Sequence, residues 1–147
     1  MTQATAREVL NRLLNIVCRS LPMYLEHAPP AFSSEDQTAT ETLERIQSDQ
    51  VEMAEKIGAA LSEVSGGPRL GPFPMEFTDL NDLRARFLLK MAVQYQQRDI
   101  ADIEQCVEDL RMAPAYQPLA EETLGMAKGH LQELRELESN LPAQTSG

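Results

Sequence analysis

Apolar residues in this chain recur at intervals of three and four, and no stretch alternates apolar with polar residues over the length of a strand, so the pattern is helical throughout. Four segments follow from it, at about residues 5–28, 35–65, 79–111 and 118–141. The first opens on Thr5-Ala6-Arg7-Glu8, where Thr5 and Glu8 can satisfy orphan amides, and it ends before Pro29-Pro30. Its inward stripe is Val9, Leu13, Val17, Ser20, Tyr24 and His27, and Pro22 within it predicts a kink. The second opens on a similar pattern, Ser34-Glu35-Asp36-Gln37, and stops at Gly66-Gly67-Pro68. Its stripe runs through Leu43, Ile46, Gln50, Met53, Ile57, Ala60 and Val64. The third is expected to begin at Thr78 to Asp82, with Asp79 and Asp82 at the positive end of its dipole, and to carry Leu89, Val93, Gln96, Ile100, Ile103, Val107 and Leu110 inward. The fourth takes Pro118 in its first turn and buries Ala120, Thr123, Ala127, His130, Leu134, Leu137 and Leu141.

Connection lengths bear on topology, because short loops force antiparallel neighbours. Only the segment from Ser65 to Thr78 is long. Its 14 residues can span ~46 Å when extended, against ~45 Å for a helix of about 30 residues. The second and third helices can therefore lie parallel, joined by one crossover; an up-down bundle with a loose loop is the competing topology.

Length, charge and cysteine content narrow the role. A chain of 147 residues fits one domain with its own core. Lys and Arg total 13 against 23 Asp and Glu, a formal net charge of -10, which disfavours nucleic acid as a partner. Met1 to Arg7 and Pro142 to Gly147 carry one basic residue, Arg7, and so form no basic arm. No apolar run approaches the ~20 residues of a membrane span, and no signal-peptide pattern precedes Thr5. A cytoplasmic location is expected. Cys18 and Cys106, far apart and outside any CxxC, read as small buried hydrophobes.

Several fragments, taken in order, resemble a known family. Leu10-Asn11-Arg12-Leu13-Leu14 followed by Tyr24-Leu25-Glu26-His27-Ala28 resembles the first helix of bacterioferritin. Glu52-Met53-Ala54-Glu55-Lys56-Ile57, closing in Gly66-Gly67-Pro68, resembles the second helix of bacterioferritin, rubrerythrin and miniferritin relatives. Gly129-His130-Leu131 is similar to the family's last metal-binding helix. The resemblance covers about residues 5 to 141. It implies an all-α, ferritin-like four-helix bundle with one long crossover between helices two and three. It also implies where a di-iron centre would sit: a Glu on one helix, Glu-x-x-His on the next, a Glu on the third and Glu-x-x-His on the fourth.

The matching positions here are Val17, Gln50 with Met53, Gln96 (selected by the core stripe alone) and Ala127 with His130. Of the six family ligands only His130 is kept. Iron or manganese in a low-dielectric core needs anionic oxygen ligands, which valine, alanine and amides do not supply. Neither a metal nor a cofactor is therefore expected at this site, and Glu52 and Glu55, beside the stripe, read as a solvated face. Ser20, Tyr24, Gln50, Gln96 and His130 are expected to pair with one another in a buried hydrogen-bond cluster, with Met53 filling space. Gly125 and Gly129 suggest close packing around Ala127.

Two sharper alternatives stay open: a soft metal site built from His130, Met53 and His27, and an iron site between subunits near the acid-rich stretch Ser34 to Glu44. No Gly-rich phosphate loop, HExxH or nucleophilic triad is present. The expected role is a non-catalytic structural, interaction or assembly module, the alternative an iron-binding or ferroxidase-type bacterioferritin relative with a rearranged site. The resemblance implies assembly, and without the short fifth helix of the large cages a homodimer or small homo-oligomer is expected, its protein partner otherwise undefined.

Overall fold

A computed structural model describes residues 3–30, 32–33, 36–64 and 67–140. Among the described residues the regular secondary structure is all helical, without strands. Five α-helices follow in order: α1 Gln3–Cys18, α2 Leu21–His27, α3 Gln37–Glu63, α4 Ala85–Asp109 and α5 Gln117–Asn140. Two short 3-10 turns, Met75–Phe77 and Leu80–Asp82, lie between α3 and α4.

The expected first helix is two helices. Pro22 has no N–H to give a preceding turn, and the chain breaks at Arg19 and Ser20 rather than bending. Ser20 turns extended (φ -71°, ψ 163°), and its Oγ accepts from the Met23 amide at 3.4 Å, which makes it the N-cap of α2 with Pro22 in the first turn. At the other end α1 begins at Gln3, so Thr5 lies inside the helix rather than capping it. Ser34 and Glu35 lie outside the described residues. Asp36 precedes α3, and its carboxylate accepts from the amide and hydroxyl of Ser33 at 3.2 and 3.0 Å. The third expected helix starts later than its acidic residues suggested. Asp79 is left-handed (φ 71°) and Asp82 sits in a 3-10 turn, while Leu83 and Arg84 are extended, so α4 begins only at Ala85.

Side-chain pairs fix how the helices run. Arg45 meets Glu133 at 2.6 Å and Lys56 meets Glu122 at 2.6 Å, so α3 and α5 are antiparallel. Arg12 of α1 reaches Asp109 at the end of α4. One apolar cluster joins Val9 and Leu13 to Leu61, Cys106, Leu110 and Ala120; a second joins Leu25 to Ala39, Leu43, Leu88 and Leu137. The beginnings of α3 and α4 thus share one end of the molecule and their ends share the other. α3 and α4 run in the same direction, and the chain between them travels the length of the helices.

That connecting segment is held by a polar ladder on α1 and on Arg19, the residue that follows it. Asn11 Oδ1 accepts from the Arg69 amide at 2.7 Å, and Asn15 both donates to the Arg69 carbonyl and accepts from the Gly71 amide, each at 2.8 Å. One turn further, Arg19 Nε donates to the Gly71 carbonyl at 2.6 Å, with its guanidinium 4.7 Å from the centre of the Phe73 ring. Spacing of i, i+4 and i+8 lines these residues up along one helix face, so three side chains supply the partners that a neighbouring strand would otherwise give. Phe77 completes the attachment, buried against Tyr24 and Tyr95 at 5.7 and 5.0 Å between ring centres.

Candidate functional site

Val17, Gln50, Met53, Gln96, Ala127 and His130 are all buried, at 2 to 5% exposure. Val17, Met53 and Ala127 belong to the first apolar cluster. The polar members do not form the single expected network. Ser20 Oγ donates to Gln50 Oε1 at 3.1 Å, while Gln96 Nε2 donates to the Ala127 carbonyl at 3.0 Å on the facing helix. His130 turns elsewhere: its Nε2 and Asp49 Oδ2 are 2.8 Å apart. Tyr24 joins the aromatic contacts around Phe73 and Phe77. Ser20 with Gln50, Gln96 with a backbone carbonyl and His130 with Asp49 are therefore separate pairs.

Asp49 lies just off the stripe that contains Gln50, and its carboxylate is 43% exposed. The antiparallel register of α3 and α5 sets it opposite His130. Nε2 faces the carboxylate, and Nδ1 on the other side of the ring is buried and has no hydrogen-bond partner among the described residues. A carboxylate that orients a histidine is also how metal-ligating imidazoles are supported. Further ligands do not gather here: among the described residues no group of three or more His, Cys, Asp or Glu comes together. Glu52 and Glu55 are exposed, and so is His27, whose ring lies 5.8 Å from Phe73. The residues at the family's ligand positions do not fit a di-iron centre, because not one is anionic and the Gln96 amide is already engaged with backbone. Gly125 and Gly129 are exposed, and a Cβ at either would meet nothing within 4 Å, so they do not mark close packing.

The inward face of α4 carries one ionisable group that the stripe reading passed over. Ala92, Gln96, Asp99, Ile103 and Cys106 repeat at four, three, four and three, a spacing that turns Asp99 toward the core. Burial, followed by the charge of Asp102, raises its carboxyl to about 7 against the opposing pull of Arg98. An unfolded aspartate titrates near ~3.9, so between there and about 7 the folded protein keeps a proton that the unfolded chain releases. The stabilisation this gives is complete at acid pH and is lost as pH rises through about 7. Asp99→Asn is expected to unfold at higher denaturant concentration than the parent at pH 8, by roughly 2–4 kcal/mol, and to match it near pH 4. Urea titrations at the two pH values test this.

Cys106 is fully buried and Cys18 partly so; both are free, and burial raises both thiols above their ordinary range. No helix among the described residues is long and apolar enough to cross a membrane. No protein-family model and no curated protein sequence matches this chain.

Proposed function

We propose that this chain is a ferritin-like four-helix bundle, with its one long crossover between α3 and α4, that has exchanged the di-iron centre for a packed core. It serves as a non-catalytic structural, interaction or assembly module. One observation carries the reading: every position where the family resemblance places a ligand is buried, and five of the six hold neutral side chains that cannot offset two metal charges. The parallel course of α3 and α4 supports the fold part of the proposal, since single-crossover bundles have that arrangement. A cytoplasmic location belongs to the same reading, supported by the two free thiols. The expected partners are further copies of the chain or another protein, with nucleic acid disfavoured by the net charge of -10.

A second reading, iron or another transition metal at a rearranged site, draws on the Asp49–His130 pair and its buried Nδ1. Elemental analysis of the purified protein separates the two. The proposal expects far less than one metal ion per chain, and the second reading expects a stoichiometric ion that is lost in His130→Ala.

A further inference from the structure

The surface is not uniformly acidic. Residues 84–98 hold Arg84, Arg86, Lys90 and Arg98, four of the chain's 13 basic residues, and no Asp or Glu. Phe87 stands in this stretch, 51% exposed, with Met91 one turn on and Arg86 and Lys90 beside it. Neither Arg86 nor Lys90 has an ion pair among the described residues. The surface thus presents an aromatic knob with two cations along one side of it.

A matching hole lies at the same end of the molecule. Between α2 and the first half of α3 is a cleft of about 220 Å³, walled by Leu25, Pro30, Phe32 and Leu43 and edged by Glu26 and Glu44. Both glutamates are exposed. The cleft is smaller than the ~300 Å³ at which pockets for drug-sized ligands begin, so it suits one side chain better than a cofactor. Its apolar floor suits an aromatic ring, and its two carboxylates select a ring with cations beside it. Leu88 and Leu89, the neighbours of Phe87 in α4, share the core cluster of Leu25 and Leu43, so knob and hole are carried on one rigid end.

We propose that two copies of this chain form a closed pair in which Phe87 of each enters the α2–α3 cleft of the other, with Arg86 and Lys90 against Glu26 and Glu44. A two-fold axis makes both contacts at once, so the pair closes and stops. Aromatic anchors in a desolvated pocket carry most of the energy of such contacts, and the opposed charges set register and reject wrong pairings. The biological meaning of the pair rests on the assembly role proposed above, whereas its existence does not depend on metal content.

Light scattering on the full-length chain across a range of concentrations tests it, with circular dichroism to show that each variant is folded. The parent is expected to be dimeric, and Phe87→Ala to raise the dissociation constant roughly tenfold or more. The double reversals Arg86→Glu/Lys90→Glu and Glu26→Lys/Glu44→Lys are each expected to be monomeric, since each sets like charges together. Mixed one to one, they are expected to form a heterodimer, because the reversed knob then meets the reversed hole and the unaltered knob the unaltered hole. A monomeric parent, an unchanged dissociation constant in Phe87→Ala, a double reversal that stays dimeric, or a mixture that stays monomeric would each overturn the pairing. A metal-free monomer would sink this pairing and leave the functional proposal standing; a metal-loaded closed pair would do the reverse.

Discussion

Val17→Glu is expected to lower the free energy of unfolding at pH 7 by about 3–5 kcal/mol, the cost of an uncompensated charge in an apolar interior. Val17 is 2% exposed and lies in the cluster that includes Leu13, Leu14, Met53, Ile57 and Ala127. The resemblance places a metal-binding glutamate at this position, so the substitution restores one family ligand. In a metal-holding bundle the added carboxylate would find a cation. Here it finds aliphatic groups, and ferrous iron in excess is expected to leave the urea midpoint of Val17→Glu where it was. Val17→Gln serves as the control: it has nearly the same shape without the charge, so the difference between the two variants isolates the electrostatic part. Recovery of stability by Val17→Glu on adding iron would contradict a core refilled for packing.

The second large effect concerns the Asp49–His130 pair. Removing Asp49 as Asp49→Ala leaves the His130 imidazole, 3% exposed, with no partner among the described residues on either ring nitrogen, at a cost of roughly 1–3 kcal/mol. Replacing both members, Asp49→Ala with His130→Leu, removes the orphaned polar group along with its partner and is expected to cost less than the single change. Denaturant unfolding of the two single variants and the double variant gives the coupling. A double variant as damaged as the sum of the single ones would show that the pair does not act as a unit.

The helical class was legible because apolar spacing of three and four survives along each long element: the buried residues of α5 are those the periodicity marks, and in α3 the stripe holds from Leu43 to Ile57, after which Leu61 is buried where the stripe has Ala60. Boundaries were harder where two signals overlapped. Ser20-Leu21-Pro22 is as good a helix start as it is a kink, and the extended backbone of Ser20, with the Met23 amide on its Oγ, shows which applies. Asp79 and Asp82 fit a helix N-terminus by residue type, yet a left-handed residue and 3-10 turns, which apolar spacing does not distinguish, occupy that stretch. Burial of Ser20, Gln50, Gln96 and His130 could be read from spacing, although His27 on the first stripe is exposed; their partners could not be read. Which atoms meet depends on the register between helices far apart in sequence, which is why Asp49 was invisible beside Gln50. Asp99 differs, because its signal was present in the repeat through Ala92, Gln96 and Ile103 and was masked by Ile100 one residue on. The ladder of Asn11, Asn15 and Arg19 was likewise written in one helix face, but its ligand is the backbone of residues 69–71, whose course no local pattern fixes.

Elemental analysis of the full-length protein, purified without chelator from iron-replete cells and paired with its mass in solution, bears most directly on the proposal of a metal-free, packed core. The expected result is an assembled species with iron, manganese, copper and zinc each far below one ion per chain. Two tightly held iron atoms per chain would contradict it.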